Sequence, residues 1–536
     1  MKTRYAILRH AGVAMLCLFG SVPAAQAEVG DTLWFQYEDR FCEPEVYDMQ
    51  AYDSIEFKLT SMRLHKKEGS TGLRYLTKAY KNESLGAYTW NDPGRYLVKP
   101  GTYASNDFTN ESSQFCLQRS QESEHFICFW AKGLEKKANG NITLGGSTCN
   151  VNTLLTNAEK IWKKYVEELG FLEPGHSTTD HVKIEMFIVN QTEWRADGSG
   201  TTGTTYYYNG STKTNKEYKV GMFHCNPWAS SSNVTVAHEI GHVFQYLVSA
   251  DLGSTHGLNY GYNNYAQGGN EWWEDCANWQ AHKMYPAQQF SENWGNNQNM
   301  HHMNILSENA RYNNCYYQDW WCQQHGQTTI GRVWRESIRP EDPVQAYMRL
   351  FGFNEQTFAD EMWLGYAHMT CMDIECWKKY SSKYFNQEKQ RLKTLTAAQK
   401  EYLGENTSDW YMVDSAYCVQ NYGYNANPLT VPAVGTNITV HFKGLAGAPG
   451  FRAIRTADAG WRYGLVAYSS DGTYTYGEMQ SSQEGSATLT VPARCTNIWL
   501  VVMGAPTTYW THSWNGTVAD DEQWPYAVRI EGTTIK

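Results

Sequence analysis

The sequence lacks several features that would place it in common classes of protein. It has no block of Lys and Arg and its formal net charge is −10, which argues against nucleic acid as the main partner, because phosphate binding needs a basic surface. Beyond the N-terminus no apolar run reaches the roughly 18 residues of a membrane-spanning helix, so we expect no transmembrane anchor. The sequence also has no Cys-x-x-Cys pair, which argues against a zinc site built from cysteines.

The N-terminus has the pattern of a cleaved export signal. Lys2, Arg4 and Arg9 precede a short apolar run over residues 11–22, and Ala25-Gln26-Ala27 has the small-x-small pattern of a cleavage site. We therefore expect residues 1–27 to be removed after Ala27. The mature protein is expected to be secreted, periplasmic or on the cell surface.

The cysteine content fits an exported protein. The chain has 13 cysteines, and loss of Cys17 with the signal leaves an even number. An even count in an oxidising compartment predicts disulfides, with Cys315/Cys322 and Cys371/Cys376 as candidate local pairs.

Changes in sequence pattern divide the mature chain into three regions. Aromatic residues make up 14% and charged residues 19%, which is typical of a folded chain. We predict a β-rich N-terminal region over 28–120, an α+β core over 121–410 and a β-sandwich over 411–536.

The central region alternates helix and strand patterns. Helical periodicity over 152–170 is followed by strand patterns over 182–189 and 218–224. A helix is then expected after the capping residues 230–233, and a second one over 270–285 before Pro286. Residues 387–402 also have a helical pattern.

The helix after residue 233 contains His238-Glu239-Ile240-Gly241-His242. Histidines four residues apart lie on one helical face, where both can bind one Zn²⁺. Glu239, between them, is then placed to take a proton from a water molecule at the metal. A catalytic zinc site needs a third protein ligand and an open position.

The third ligand is expected from the helix over 270–285. Glu274 shares a helical face with the small residues Ala277 and Ala281, which would let this helix approach the first one closely. Glu271 lies on a more polar stripe and is the alternative. We predict Glu274 as the ligand, with Glu271 as the second candidate.

These residues resemble those of the gluzincins, zinc peptidases with His-Glu-x-x-His and a downstream glutamate. Glu274, Ala277 and Trp279 match the Glu-x-x-Ala-x-aromatic form found in collagenase-type peptidases and aminopeptidases, whereas Glu271 and Asp275 match the thermolysin-type segment. The string from His238 to Gln245 is similar to enhancin-like, mucin-targeting peptidases. The resemblance covers about residues 120–400 and implies a zincin-like fold with one catalytic Zn²⁺ held by His238, His242 and Glu274.

The resemblance also implies a mechanism of peptide hydrolysis in which Glu239 is the general base. Asn278, one turn after Glu274, is a candidate to orient a histidine ligand. In the resembled families a downstream Tyr or His stabilises the oxyanion, and the candidates here remain open: His256, His301, His302, Tyr316 and Tyr317.

Aromatic residues suggest two further hypotheses. Trp272, Trp273 and Trp279 either line a substrate cleft or pack in the core, and core packing is favoured. Some aromatic residues of the C-terminal region could stack on sugar rings or belong to the sandwich core: Trp461, Tyr463, Trp510 and Trp514.

The combined expectation is an exported zinc metallopeptidase that hydrolyses peptide bonds of protein or glycoprotein substrates, with glycans as candidate additional ligands of the C-terminal region. The alternative is a secreted carbohydrate- or surface-binding protein with an inactive zincin core. An intact Glu239 argues against the alternative, since an inactive core has no need of that base.

Overall fold

The structure, a computed structural model, describes most of the chain from residue 102 onward. Before residue 102, and between residues 205 and 214, it describes only the backbone of strands. After residue 102 the residues outside the description are 104–105, 181, 204, 209–211, 215–217, 254–255, 259–271, 382–393, 399, 404–408, 513–514 and 516. The chain divides into two compact units, of which the first comprises Met1–Gly133, Glu173–Phe187 and Thr201–Val220.

The first half of the chain is rich in short strands. Two of them, β1 and β2, lie within the predicted signal segment, whose cleavage stays a prediction. In chain order the strands are β1 (Arg4–Arg9), β2 (Gly12–Leu16), β3 (Thr32–Gln36), β4 (Glu45–Asp48), β5 (Tyr52–Lys58), β6 (Ser61–Lys66), β7 (Lys99–Gly101), β8 (Ser120–Glu122), β9 (Phe126–Trp130), β10 (Asn141–Leu144), β11 (Ser147–Asn150), β12 (Ile184–Ile188), β13 (Ala196–Gly203), β14 (Thr205–Tyr208), β15 (Thr212–Thr214) and β16 (Tyr218–Cys225).

The first unit contains three small sheets and strands of a larger sheet. The small sheets have the orders β2-β1-β3-β4, β5-β6 and β15-β14-β7. The five-stranded sheet has the order β13-β16-β12-β9-β8, and its central strands β9 and β12 are buried along their whole length. Strand β13 forms the edge of the five-stranded sheet.

The second unit contains the helices. Helix α1 begins at the cap Asn150, whose side chain accepts from the Thr153 amide, and a short π-helical turn, Lys164–Glu168, extends it. The helices are α1 (Val151–Lys163), α2 (Asn233–Leu252), α3 (Trp272–Met284), α4 (Gln289–Glu292), α5 (Trp294–Met300), α6 (Tyr317–His325), α7 (Thr329–Glu336), α8 (Pro343–Phe351), α9 (Glu355–Thr370), α10 (Lys378–Ser381) and α11 (Lys400–Leu403). Short 3-10 turns lie at Leu117–Arg119, Thr178–Asp180, Ala229–Ser231, Ser415–Tyr417 and Val518–Asp520.

Two sheets at the C-terminus of the second unit pack on a shared core. Their orders are β17-β18-β25-β20-β23 and β19-β24-β21-β22. Phe442 from one sheet and Tyr463 from the other stack with ring centroids 4.0 Å apart, as in a two-sheet sandwich. The strands are β17 (Leu395–Ala397), β18 (Trp410–Val413), β19 (Tyr424–Leu429), β20 (Asn437–Gly444), β21 (Trp461–Ser469), β22 (Tyr474–Tyr476), β23 (Glu484–Thr490), β24 (Cys495–Gly504) and β25 (Tyr526–Glu531).

Helix α9 packs on the outer face of the second of these sheets. The indole of Trp363 donates to the carbonyl of Val501 at 3.2 Å. Gly464 leaves the space for that ring, because a Cβ at this position would lie 2.6 Å from it. Arg462 adds an ion pair with Asp360 at 2.6 Å. Within the second unit, the C-terminal sheets and the helices are therefore joined by a packed, hydrogen-bonded surface.

The structure confirms the predicted α+β fold class, with helices between β-rich parts of the chain. The helix predicted over 387–402 is wrong in its middle, because residues 395–397 form β17 and pair with β18. Leu395 is buried in the sandwich core, and this tertiary packing overrides the local helical pattern. Among the described residues, no helix is both long and apolar enough to cross a membrane.

The described cysteines carry free thiols in this structure, including the two pairs considered from the sequence. Most of them are buried, whereas Cys376 is exposed. Their pairing in an oxidising compartment stays a prediction.

Candidate metal centre

Helix α2 presents two histidines side by side. The helix begins at the cap Ser232, whose hydroxyl accepts from the amide of Thr235 at 3.2 Å. The spacing of four residues then places His238 and His242 on one face, with ring centroids 4.7 Å apart. The phenol of Tyr165, in the π-helical turn after α1, donates to the carbonyl of Ala237 at 2.9 Å and so ties this part of α2 to its neighbour.

Helix α3 brings Glu274 against this pair. The two helices approach closely at Gly241, where a Cβ would lie 3.3 Å from the Cα of Ala277. Oε2 of Glu274 lies 3.1 Å from Nε2 of His238 and 3.0 Å from Nε2 of His242. Glu274 is buried, at 3% exposed. Glu271, the alternative ligand, lies outside the described residues.

Two amide side chains determine which ring nitrogens of the histidines carry hydrogen. Nδ1 of His238 lies 2.7 Å from Oδ1 of Asn278, and the amide nitrogen of Asn278 donates to the carbonyl of Tyr312. Nδ1 of His242 lies 3.0 Å from Oε1 of Gln245, whose nitrogen donates to the carbonyl of Trp273. Because both amides direct their oxygen to the ring, each Nδ1 is the donor, and each Nε2 is left with a lone pair.

Three electron-rich atoms therefore converge. The two Nε2 atoms are 3.1 Å apart, and each is in contact with the Glu274 oxygen. Such an arrangement needs positive charge at its centre. Donor atoms held at about 2.0–2.1 Å in a tetrahedral arrangement lie roughly 3.3 Å from one another, close to these spacings. The His238–His242–Glu274 group could thus hold a metal ion.

Without a metal, a proton is the remaining source of that charge. Burial by itself lowers the pKa of His242, but the adjacent Glu274 carboxylate outweighs burial and raises this pKa to about 9. Burial acts to raise the pKa of Glu274, and the two imidazoles lower it well below its usual range. A metal ion would therefore replace a proton shared within this group.

Glu239 lies beside the ligand histidines and is held by β13. Its Oε2 accepts from the amide of Gly198 at 2.8 Å, and its side chain is almost fully buried. A Cβ on Gly198 would lie 1.7 Å from the carbonyl oxygen of Glu239, so only glycine fits at this position. The hydrogen bond occupies one carboxylate oxygen and fixes the direction of the other.

The structure places Tyr312 and Arg311 at the site, and neither was singled out from the sequence. The phenol of Tyr312 donates to Oε1 of Glu274 at 3.0 Å, and 39% of this side chain is exposed. The Arg311 guanidinium lies 5.3 Å from the centre of the Tyr312 ring. Burial and Glu274 raise the pKa of Tyr312, and Arg311 opposes that rise. Both residues lie in an irregular segment, where periodicity carries no signal.

The side chains considered for the oxyanion role make other contacts. His301 stacks on Tyr424 at 4.6 Å, and the phenol of Tyr316 donates to the carbonyl of Gln289. His302 is buried, which lowers its pKa to about 4, and Tyr317 packs on Trp321 at 5.0 Å. The backbone of His256 forms an isolated bridge with Ile338. None of these contacts places a polar atom at the ligand group in the way that the Tyr312 phenol does.

Most of the aromatic residues that were candidates to line a substrate cleft or stack on sugar rings are core residues. Trp272, Trp273 and Trp279 are at most 3% exposed. Trp461 and Tyr463 are buried between the C-terminal sheets and have no face for a sugar ring. Trp510 lies partly buried beneath the guanidinium of Arg455 at 4.7 Å, and Trp514 lies outside the described residues.

The fold and the site define an α+β protein with a buried candidate metal centre on two packed helices. Residues 91–536 match the family described as "Family of unknown function (DUF6055)", and the chain belongs to this family. No curated protein matches the chain.

Proposed function

We propose that the protein is an exported zinc-dependent peptidase with a zincin-like core of the gluzincin type, acting on peptide bonds of proteins or glycoproteins. The observation that carries the proposal is the triangle of His238, His242 and Glu274 donor atoms at 3.0–3.1 Å, with Glu239 next to it in the helix. Two imidazoles and one carboxylate form the ligand set of catalytic rather than structural zinc sites.

The roles of the residues follow from their positions. When bound, a zinc ion would polarise the scissile carbonyl and lower the pKa of the attacking water. Glu239, held at Oε2 by the Gly198 amide, would accept a proton from that water and pass it to the leaving amine. The exposed phenol of Tyr312 is a hydrogen-bond donor at the same site and is suited to stabilise the oxyanion.

Metal content tests the first part of the proposal. The purified protein should bind about one zinc ion per chain, and His238→Ala should lose it, because two remaining ligands hold zinc poorly. His441→Ala, on the exposed face of β20, is the matched control and should keep the metal. Equal zinc content in all three proteins would exclude this site as the binding site.

Hydrolysis tests the second part. Glu239→Gln should keep the zinc and lose cleavage of casein, gelatin or mucin by at least a hundredfold, as expected for loss of a general base. Glu168→Gln, an exposed helical carboxylate, should cleave like the wild type. A zinc-loaded wild type that cleaves none of these substrates would favour the alternative, a binding protein with an inactive core.

Export is tested separately by the N-terminal sequence of the mature protein. Cleavage after Ala27 should give a chain that begins at Glu28. A mature protein that keeps Met1 would contradict the export signal without affecting the metal site.

A further inference from the structure

Arg311 is a positively charged group beside the candidate metal centre. Its guanidinium lies 5.3 Å from the ring centre of Tyr312, and the phenol of that ring reaches Glu274, the carboxylate of the ligand group. One aromatic ring thus separates the guanidinium from the metal ligands. The backbone next to Arg311 is fixed as well: the carbonyl of Tyr312 accepts a hydrogen bond from Asn278, the residue that orients His238.

The hydrogen bonds of Arg311 do not balance its positive charge. Nη1 donates to the carbonyl of Glu308 at 3.2 Å, which is a neutral acceptor and does not balance the charge. Nε is buried and has no hydrogen-bond partner within the part of the chain that the structure describes. No carboxylate among the described residues pairs with the guanidinium, so its charge is left for a group from outside the chain.

The chemistry of the guanidinium indicates the kind of ligand. Its planar set of N–H donors matches the two oxygens of a carboxylate, and the two terminal nitrogens of the guanidinium can bind both. In a peptidase the substrate carries such groups at its C-terminus and on Asp and Glu side chains.

We propose that Arg311 binds a carboxylate of the peptide substrate and so selects peptides that carry a negative charge close to the scissile bond. This inference rests on the proposed peptidase function. Tyr312 acts on the reacting carbonyl, whereas Arg311 holds the neighbouring charge. A peptide with a free C-terminal carboxylate and one with an internal acidic residue provide the same chemistry, and the experiment separates them.

The test measures binding to the zinc-loaded Glu239→Gln variant, which does not consume the peptide. Calorimetry compares one peptide sequence in four forms, with a free or amidated C-terminus combined with Asp or Asn at one position. At least one carboxylate form should bind tenfold or more tightly than its neutral partner. A difference at the C-terminus identifies the terminal carboxylate, and a difference between Asp and Asn identifies an acidic side chain. Equal binding of all four forms would overturn the proposal.

Substitution of Arg311 in the same variant background assigns the effect to this residue. Arg311→Gln should remove the preference for the carboxylate, so that charged and neutral peptides bind with similar affinity. Arg311→Lys should keep part of the preference, because the charge remains and the fork is lost. Arg452→Gln is the matched control, since Arg452 also donates to a backbone carbonyl, and it should keep the full preference. A preference that survives in Arg311→Gln would overturn the assignment.

The outcome is distinguishable from failure of the proposed function. Zinc content and the unfolding midpoint report whether each variant is folded, and the four peptides can be compared without any substitution at residue 311. If the wild type hydrolyses no peptide but binds carboxylate forms through Arg311, the inference stands and the peptidase proposal fails. If hydrolysis occurs without a carboxylate preference, the peptidase proposal stands and the inference about Arg311 fails.

Discussion

Asn278 joins the ligand His238 to the segment that carries Tyr312. Its oxygen accepts from Nδ1 of His238 at 2.7 Å, while its nitrogen donates to the carbonyl of Tyr312 at 2.7 Å. One side chain therefore sets the tautomer of a candidate metal ligand and the position of Tyr312. Gln245 sets the tautomer of His242 in the same way.

Asn278→Ala is expected to weaken zinc binding about 10–100-fold, since the ligand loses the partner that fixes its tautomer and orientation. Competition with a fluorescent zinc chelator measures the change. Asn299→Ala removes an exposed amide that donates to a helix carbonyl, and it should have no effect. Unchanged affinity in Asn278→Ala would show that packing alone orients His238.

Gly198→Ala is expected to destabilise the protein by about 3 kcal/mol, a typical cost of forcing extra atoms into a packed site. The new Cβ would meet the carbonyl oxygen of Glu239 at 1.7 Å, so β13 must move away from α2. Denaturant unfolding measures the stability, and cleavage of casein measures the loss of the Glu239 hydrogen bond. Ser199→Ala, the next position on β13, is the control and should change neither quantity appreciably.

Zinc affinity is expected to rise with pH up to about 9. In the metal-free protein the pKa of His242 is raised from 6.5 to about 9, so at neutral pH zinc must displace its proton. Calorimetry at pH 7 in buffers of different ionisation enthalpy should show release of about one proton per ion. Release of no proton would contradict the shared-proton state of the empty site.

The same shift gives the metal-free protein a defined pH dependence. Because the pKa of His242 is higher in the folded than in the unfolded state, protonation of His242 stabilises the folded protein. This stabilisation is complete below pH 6.5, the unfolded value, and is lost as the pH rises through about 9. The unfolding midpoint of the metal-free wild type should therefore fall between pH 6.5 and 9 more than that of His242→Ala. With zinc bound, this fall should be absent.

Lys283→Met is expected to cost about 3–5 kcal/mol in free energy of unfolding, because it leaves Asp319 charged and buried. Lys283 forms an ion pair with this carboxylate, which also accepts from the indoles of Trp279 and Trp377. Lys443→Met removes an exposed ion pair with Glu484 and should change stability by less than about 1 kcal/mol. Similar losses in the two variants would mean that the buried pair contributes no more than a surface one.

The sequence predicts those parts of the site that depend on local spacing. His238 and His242 share a face because they are four residues apart, and Glu274 follows from the small residues around it on α3. The contact of Gln245 with His242 could also have been predicted, since Gln245 lies one turn after His242 on the same helix. Such residues need only a correct helix.

Other parts of the site depend on tertiary placement. Tyr312 and Arg311 come from an irregular segment that has no periodic pattern, so nothing local brings them to Glu274. Gly198 reaches Glu239 only because β13 lies against α2. In the same way, Leu395 is drawn into a strand by the C-terminal core although its neighbours have a helical pattern.

The contact between Trp363 and the Val501 carbonyl has a consequence for how this protein can be divided. A chain cut before the C-terminal sheets would leave a tryptophan-bearing side of α9 in water, while the isolated sheets would expose the groove at Gly464. The smallest piece that could be inherited, exchanged between proteins or expressed by itself therefore includes the helices and both sheets together. Partial truncation would yield an aggregating fragment instead of a smaller folded protein.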